Sequence, residues 1–93
     1  MRIGFFYSIE NKEKIEKLLR IIKNVLEEMG IHIQICKTKE EFRFYYDKYY
    51  VRCLPYKEYS MRGRQFDIVF LDDKIKLNDD ILYLSKSVIP IAM

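Results

Sequence analysis

The chain has 93 residues, of which 49% are hydrophobic and 15% aromatic, and its formal net charge is +3. This size and apolar content suffice for one hydrophobic core, so we expect a single domain over residues 1–93. The sequence contains no apolar stretch long enough to span a membrane, and residues 1–7 lack the features of a signal peptide. We therefore expect no membrane association and a cytoplasmic location, which would be the host cytoplasm if a phage encodes the chain.

The first third of the chain predicts a strand, a helix and a second strand. Residues 3–7 form a nearly continuous apolar run, which is typical of a central strand covered on both faces. Between residues 15 and 29 apolar side chains recur every three or four positions, which predicts a helix capped by Asn11 and ended by a left-handed Gly30. Residues 31–36 alternate as a strand requires, so we expect a right-handed β-α-β unit with parallel strands.

Residues 42–54 are compatible with two structures. Their aromatic residues fit helical spacing, and Thr38 with Glu41 could form a capping box. The density of Tyr, Phe and Val and the central Asp47-Lys48 favour instead a hairpin with a two-residue loop, which we prefer. The predicted opposing pairs are Phe42 with Cys53, Phe44 with Val51 and Tyr46 with Tyr49 on a core face, and Arg43 with Arg52 and Tyr45 with Tyr50 on an exposed face.

The last third of the chain predicts three more elements. Pro55 ends the hairpin, and the polar residues 56–65 are interpreted as a loop. Residues 66–71 predict a central strand, residues 75–84 a short helix with Asn78 as a candidate cap, and residues 88–92 could add a terminal strand. The predicted fold is an α/β domain with a small, mainly parallel sheet, in the order β-α-β, hairpin, β, short α and optional final β.

The cysteines and the single histidine do not suggest a metal site. Cys36 and Cys53 lack CxxC spacing, and His32 is the only imidazole in the chain. We expect both thiols to be small buried hydrophobic groups, although a Cys36–Cys53 bridge between neighbouring strands stays open. His32 is interpreted as an ordinary strand residue. No cofactor is expected.

Basic residues are concentrated in the middle of the sequence. Residues 42–64 carry six of them against Asp47 and Glu58, whereas residues 65–93 carry five aspartates against three lysines. Such an asymmetry predicts a basic surface that could meet nucleic acid or an acidic protein surface, although a solvated surface without a partner is the commoner explanation. The basic residues of this segment are Arg43, Lys48, Arg52, Lys57, Arg62 and Arg64.

The predicted strand at residues 66–71 ends in the acidic pair Asp72 and Asp73. Carboxylates at the C-terminal end of a buried strand can hold Mg²⁺ and polarise a water molecule in nucleotide enzymes. They also occur at such positions as turn formers and helix caps, which is the more frequent role.

The wider order of motifs resembles the middle of the P-loop ATPase domain of phage large terminases and related helicase-like motors. The motifs are the aromatic hairpin, Leu54-Pro55, Arg62-Gly63 and the acidic strand. The resemblance implies a truncated, Rossmann-like P-loop NTPase topology, with Asp72 at the metal-holding Walker B aspartate and Asp73 where that family usually has a glutamate. The turn at residues 8–14 has no glycine that would let backbone amides cradle a phosphate, so hydrolysis by this chain alone is not expected.

These features predict a small non-enzymatic binding module, of phage or mobile-element origin, that contacts nucleic acid. Two alternatives remain: a protein-binding inhibitor or adaptor of a larger host defence or motor complex, and a remnant ATPase subunit that completes a nucleotide site with another chain. The apolar and aromatic excess of so short a chain is also compatible with a homodimer. The candidate binding residues are Arg43, Tyr45, Tyr50, Arg52, Arg62 and Arg64.

Overall fold

The computed structural model describes residues 1–38, 41–56, 65–76, 79–82, 85 and 87–92, without the side chain of Asp80. Its described residues form one six-stranded sheet, one long helix and one short helix, which confirms the α/β class. A 3₁₀ turn, Ile9–Asn11, leads into the long helix. The elements are β1 Arg2–Tyr7, α1 Lys12–Glu28, β2 Cys36–Lys37, β3 Phe42–Tyr46, β4 Tyr49–Pro55, β5 Ile68–Asp72, α2 Asp79–Leu82 and β6 Val88–Ile91.

The sheet is mixed, with the strand order β2-β3-β4-β1-β5-β6. The β1–β4, β1–β5 and β5–β6 pairs are parallel, whereas the β2–β3 and β3–β4 pairs are antiparallel. The predicted mainly parallel, Rossmann-like sheet is therefore not confirmed. The central position predicted for β1 is confirmed, because β1 lies between β4 and β5.

The predicted strand at residues 31–36 is largely wrong. Only Cys36–Lys37 forms a strand, and it pairs antiparallel with β3 at the edge of the sheet. β2 runs in the same direction as β1, but β3 and β4 lie between them, so the two do not form an adjacent pair. Ile31, Ile33 and Ile35 pack in the core beneath α1 instead. These three isoleucines alternate with polar residues because one side of the segment is buried. Burial of one side does not require hydrogen bonds to a neighbouring strand.

The hairpin prediction is confirmed in register as well as in type. All five predicted pairs are observed between β3 and β4, from Phe42 opposite Cys53 to Tyr46 opposite Tyr49. The two-residue loop places Asp47 at φ 52°, in the left-handed region that short hairpin loops use. Phe42 and Phe44 are buried, as expected for the core face.

Two apolar clusters cover parts of the two faces of the sheet. On one face, Ile15 and Leu19 of α1 pack with Tyr7, Phe42, Phe44 and Cys53. On the other, Phe66 and Ile81 pack with Phe6, Leu54, Val69 and Leu71. Each fully buried large side chain contributes about 1.5–3 kcal/mol to the free energy of folding before the cost of ordering the chain is counted.

The two cysteines differ from the expectation in one respect. Both thiols are free; Cys53 is buried as predicted, whereas Cys36 is exposed. Cys36 lies opposite Arg43, while Cys53 lies opposite Phe42. Because neighbouring residues of a strand point to opposite faces, this register places the two thiols on opposite sides of the sheet, where they cannot bridge.

The C-terminal elements agree with the predicted order. β5 follows Phe66 as a buried strand, and β6 pairs with it in parallel, which confirms the terminal strand. The candidate cap Asn78 and the segment 57–64, with Arg62 and Arg64, lie outside the described residues. Among the residues that are described, no helix is long and apolar enough to cross a membrane.

Candidate functional site

The exposed face of the hairpin brings four of the predicted binding residues together. Arg43 and Tyr45 on β3 lie directly opposite Arg52 and Tyr50 on β4. The rings of Tyr45 and Tyr50 are 4.3 Å apart between centroids and tilted by 33°, and Tyr45 is 67% exposed. We call these four residues the basic aromatic face. It presents an accessible pair of π-systems next to two guanidinium groups.

Arg52 is held by a carboxylate of the same chain. Glu41 Oε1 accepts a hydrogen bond from Arg52 Nε at 2.6 Å and forms an ion pair with Arg52 Nη2 at 2.6 Å, and both side chains are largely shielded from solvent. The carbonyl oxygen of Glu41 accepts a hydrogen bond from Thr38 N, which fixes the backbone just before β3. The repulsion expected between the opposing Arg43 and Arg52 is thus relieved from within the chain, and Arg52 has little charge left for a partner.

Arg43 is the more accessible of the two arginines. Its guanidinium lies close to the Tyr50 side chain, and the interaction with Tyr50 raises the pKa of Arg43 above its ordinary value. A neutral hydroxyl does not cancel the positive charge of the guanidinium. Arg43 therefore lies beside the tyrosine pair as an exposed cation.

Arg2 extends the basic aromatic face, and sequence reasoning missed it. Arg2 on β1 is aligned with Tyr50 on β4, and its side chain is exposed on the same face of the sheet. Its backbone N donates a hydrogen bond to Asp67 Oδ2 at 2.7 Å, and Asp67 N donates to the Arg2 carbonyl at 2.8 Å. Only the β1–β4 pairing, which was not predicted, reveals that Arg2 belongs to this surface.

Arg62 and Arg64, the other two predicted binding residues, lie outside the residues that the structure describes. The preceding Tyr56 packs against the cluster of Phe6 and Leu54, and Phe66 just beyond them belongs to the same cluster. The candidate surface is therefore defined here by β1, β3 and β4 alone.

Asp72, the candidate Walker B-like aspartate, is fully buried at the end of β5. Its Oδ2 accepts hydrogen bonds from Asn11 Nδ2 at 2.6 Å and from Ser8 N at 2.9 Å, and its Oδ1 accepts one from Lys74 N at 3.0 Å. Burial favours a higher pKa for Asp72, but these hydrogen bonds outweigh it and lower the pKa below its ordinary value. The carboxylate ties the β1–α1 connection to β5.

The hydrogen bonds of Asp72 extend into the connection between β1 and α1. Asn11 stands at the N-cap position of α1, yet its side chain makes no capping hydrogen bond and binds Asp72 instead. Ser8 N is used by Asp72, and Asn11 N donates to the Ser8 carbonyl at 2.8 Å. Two of the amides that a phosphate-binding turn could offer to a ligand, those of Ser8 and Asn11, are engaged here with groups of the protein.

Asp73, the second acidic residue, is exposed, and its backbone N donates to the Ile91 carbonyl on β6. A cleft of about 530 Å³ opens at this C-terminal edge of β1 and β4, between Ser8, Tyr56 and Lys74. Open α/β sheets commonly bind ligands at such an edge. Within the described part of the chain, no three His, Cys, Asp or Glu side chains group as metal ligands.

Comparison of the chain with protein-family models, curated proteins and solved structures gave no match. The resemblance to the P-loop motors of phage terminases stays a prediction, as do the roles that it implies for Asp72 and Asp73.

Proposed function

We propose that this chain is a non-enzymatic module that binds single-stranded nucleic acid through the basic aromatic face, extended by Arg2. The observation that supports the proposal most strongly is the exposed Tyr45–Tyr50 ring pair beside the cation of Arg43. Stacking surfaces next to positive charge are the common elements of sequence-tolerant binding to single strands.

The tyrosine pair supplies the stacking surface. Tyr45 is exposed over most of its side chain, while Tyr50, directly opposite in the ladder, supports it from one side. A ring already ordered by its neighbour loses less conformational entropy when a base stacks on it. One stacked base contributes about 1–3 kcal/mol to binding.

The arginines supply the phosphate contacts, in unequal shares. Arg43 and Arg2 are exposed, whereas the charge of Arg52 is largely satisfied by Glu41. We therefore assign phosphate contact to Arg43 and Arg2, and a structural role to Arg52 through its ion pair with Glu41. Two phosphate contacts on a single strand give a slope of about −1.4 for log K against log salt, at about −0.7 per contact.

Fluorescence anisotropy with labelled 15-mers of deoxythymidine and of uridine, at several salt concentrations, tests this assignment. We expect weak binding that falls with salt, and Arg43→Gln should lower affinity severalfold and reduce the slope by about 0.7. Arg20→Gln is the matched control, because Arg20 is also an exposed arginine but lies on α1. The two oligonucleotides distinguish DNA from RNA as the ligand.

Salt-independent binding, or equal losses from Arg43→Gln and Arg20→Gln, would rule out phosphate contact at this face. Tyrosine and arginine are also enriched at protein interfaces, so the same surface suits an acidic protein partner. A pull-down with the native chain and with Arg43→Gln separates the two roles. Recovery of one protein partner that depends on Arg43, without oligonucleotide binding, would favour the adaptor role.

A further inference from the structure

The helix α1 exposes a line of large apolar side chains. Leu18, Ile21, Val25 and Met29 recur at helical spacing and are 41%, 59%, 49% and 67% exposed, respectively. We call these four residues the α1 apolar flank. The sequence predicts one apolar face on this helix, but the structure buries only the line of Ile15 and Leu19 and leaves the neighbouring line open.

The contacts of the opposite flank fix where the apolar flank points. Glu16 reaches Lys37 on β2 at 3.1 Å, so that side of α1 lies toward the β2 edge of the sheet. At about 100° per residue, Leu18 and Val25 lie on the other side of the buried line, toward β1 and β5. There Phe5 and Phe70, stacked with centroids 6.3 Å apart, are only partly buried.

The neighbouring face of the sheet is apolar as well. Ile68 and Phe70 on β5 and Ile89 on β6 are partly or largely exposed beside Phe5. Phe66 and Ile81 pack on the other face, and within the described residues this face is covered by α1 together with Ile31, Ile33 and Ile35. The helix flank and the strands together present on the order of 400 Å² of apolar surface, a patch size that commonly marks an interaction site.

The charged residues beside the α1 apolar flank differ in sign between its two ends. Lys14 and Lys17 are exposed near its N-terminal end, and Glu28 is exposed near its C-terminal end. Lys14, Ile21 and Glu28 are seven residues apart and share one line of the helix surface. Glu13 is also exposed in the first turn, four residues before Lys17, so Lys14 is the clearer positive charge at that end. A partner that has an apolar helix stripe, with acid opposite Lys14 and base opposite Glu28, would complement this surface.

A second copy of α1, running antiparallel, has these properties. It places Glu28 of the second copy near Lys14 and Lys17 and repeats the same contact on the other side of a two-fold axis. In the antiparallel arrangement the positive N-terminal end of one helix dipole also lies beside the negative C-terminal end of the other. A parallel arrangement would bring ends and side chains of like charge together. Two patches of this size bury on the order of 800 Å², less than the roughly 1,200 Å² of a standard specific interface, and so correspond to a weak, transient dimer.

We infer that two copies of this chain form an isologous dimer through the α1 apolar flank, with the two α1 helices antiparallel. This association is separate from the proposed nucleic-acid contact, because the basic aromatic face lies on the opposite face of the sheet. The dimer can therefore hold even if the chain binds no oligonucleotide.

Sedimentation velocity of the purified chain between about 2 and 200 µM tests the inference. We expect a reversible monomer–dimer equilibrium with a dissociation constant near 10 µM, a typical order for a small transient interface. Ile21→Glu, at an exposed position, should give a monomer with native circular dichroism. Lys23→Glu, on the flank toward β2, is the matched control and should remain a dimer.

Reversing charges tests the antiparallel arrangement. Lys14→Glu should weaken the dimer severalfold, and the double change Lys14→Glu with Glu28→Lys should restore it. A native chain that is monomeric at about 200 µM, or an Ile21→Glu variant that dimerises like the native chain, would overturn the inference. Charge reversals without effect, alone and combined, would overturn the antiparallel arrangement.

Discussion

Asp72 shows how one buried side chain organises one end of the sheet. Its carboxylate accepts hydrogen bonds from Ser8, Asn11 and Lys74, which belong to two different connections. A buried carboxylate is stable only when its oxygens are satisfied in this way. These contacts give Asp72 a structural role, which is to tie the β1–α1 connection to the end of β5.

Removing that tie should destabilise the fold measurably. Asp72→Ala leaves the Asn11 amide and the Ser8 N–H without their acceptor, and we expect a loss of about 2–4 kcal/mol in the free energy of unfolding. Urea denaturation followed by circular dichroism measures it. Asp73→Ala is the matched control, since Asp73 is exposed, and should change stability by less than about 0.5 kcal/mol.

The lowered pKa of Asp72 also predicts a pH dependence. A carboxylate with a lower pKa in the folded state contributes stability fully above its unfolded pKa of about 4, and that contribution is lost as pH falls through the folded pKa. Between about pH 5 and pH 2 the native chain should lose more stability than Asp72→Asn. Parallel curves for the two proteins would contradict this role.

The two cysteines should differ sharply in reactivity. Burial raises the pKa of Cys53 to about 12, while Cys36 is exposed at the edge strand. Because the thiolate is the reactive form, one equivalent of a thiol reagent should react in the folded protein and two in denaturant. Cys36→Ser should abolish the reaction of the folded protein. Rapid modification of Cys53 in that variant would show that its surroundings are open.

Among the elements, the hairpin was predictable to the residue, because its register follows from the loop position alone. Once Asp47 and Lys48 occupy a two-residue loop, every pair from Tyr46–Tyr49 to Phe42–Cys53 is determined. No comparable constraint determined whether residues 31–36 would pair with another strand. Alternation identifies a buried face, but it does not show whether a neighbouring backbone is within hydrogen-bond reach.

The backbone conformation of Asp47 in the hairpin loop makes a testable prediction about substitutions at this position. At φ 52° an L-residue is strained, although Asp tolerates this region better than most residues. Asp47→Gly should keep or raise stability by up to about 1 kcal/mol, whereas Asp47→Val should cost about 1–2 kcal/mol. Thermal unfolding measures both, with Lys48→Val as the control. Equal effects of valine at both positions would argue against strain at residue 47.

At the scale of the whole molecule, the two faces of the sheet carry different surfaces. The basic aromatic face lies on one side, and the α1 apolar flank lies on the other. Association through α1 therefore leaves the basic aromatic face accessible in each copy. Two such faces on one dimer would bind a longer strand more tightly than either does alone, provided that the strand can reach both.

The candidate surface was only partly predictable, and strand order is the reason. The hairpin alone determines that Arg43, Tyr45, Tyr50 and Arg52 share a face. That Arg2 joins them depends on β1 lying beside β4, and that Arg52 is neutralised depends on where Glu41 points. Neither fact follows from residue spacing, because both arise from packing between segments distant in the chain or from a side-chain conformation.

The most direct measurement of the central claim compares two adjacent tyrosines. Tyr45 and Tyr46 are both exposed but point to opposite faces of the hairpin. If bases stack on the basic aromatic face, Tyr45→Ala should weaken binding of a labelled 15-mer roughly tenfold, since one stacked base is worth about 1–3 kcal/mol. Tyr46→Ala should stay within about twofold of the native chain. Equal affinities for the two variants, or a larger loss from Tyr46→Ala, would contradict the proposed site.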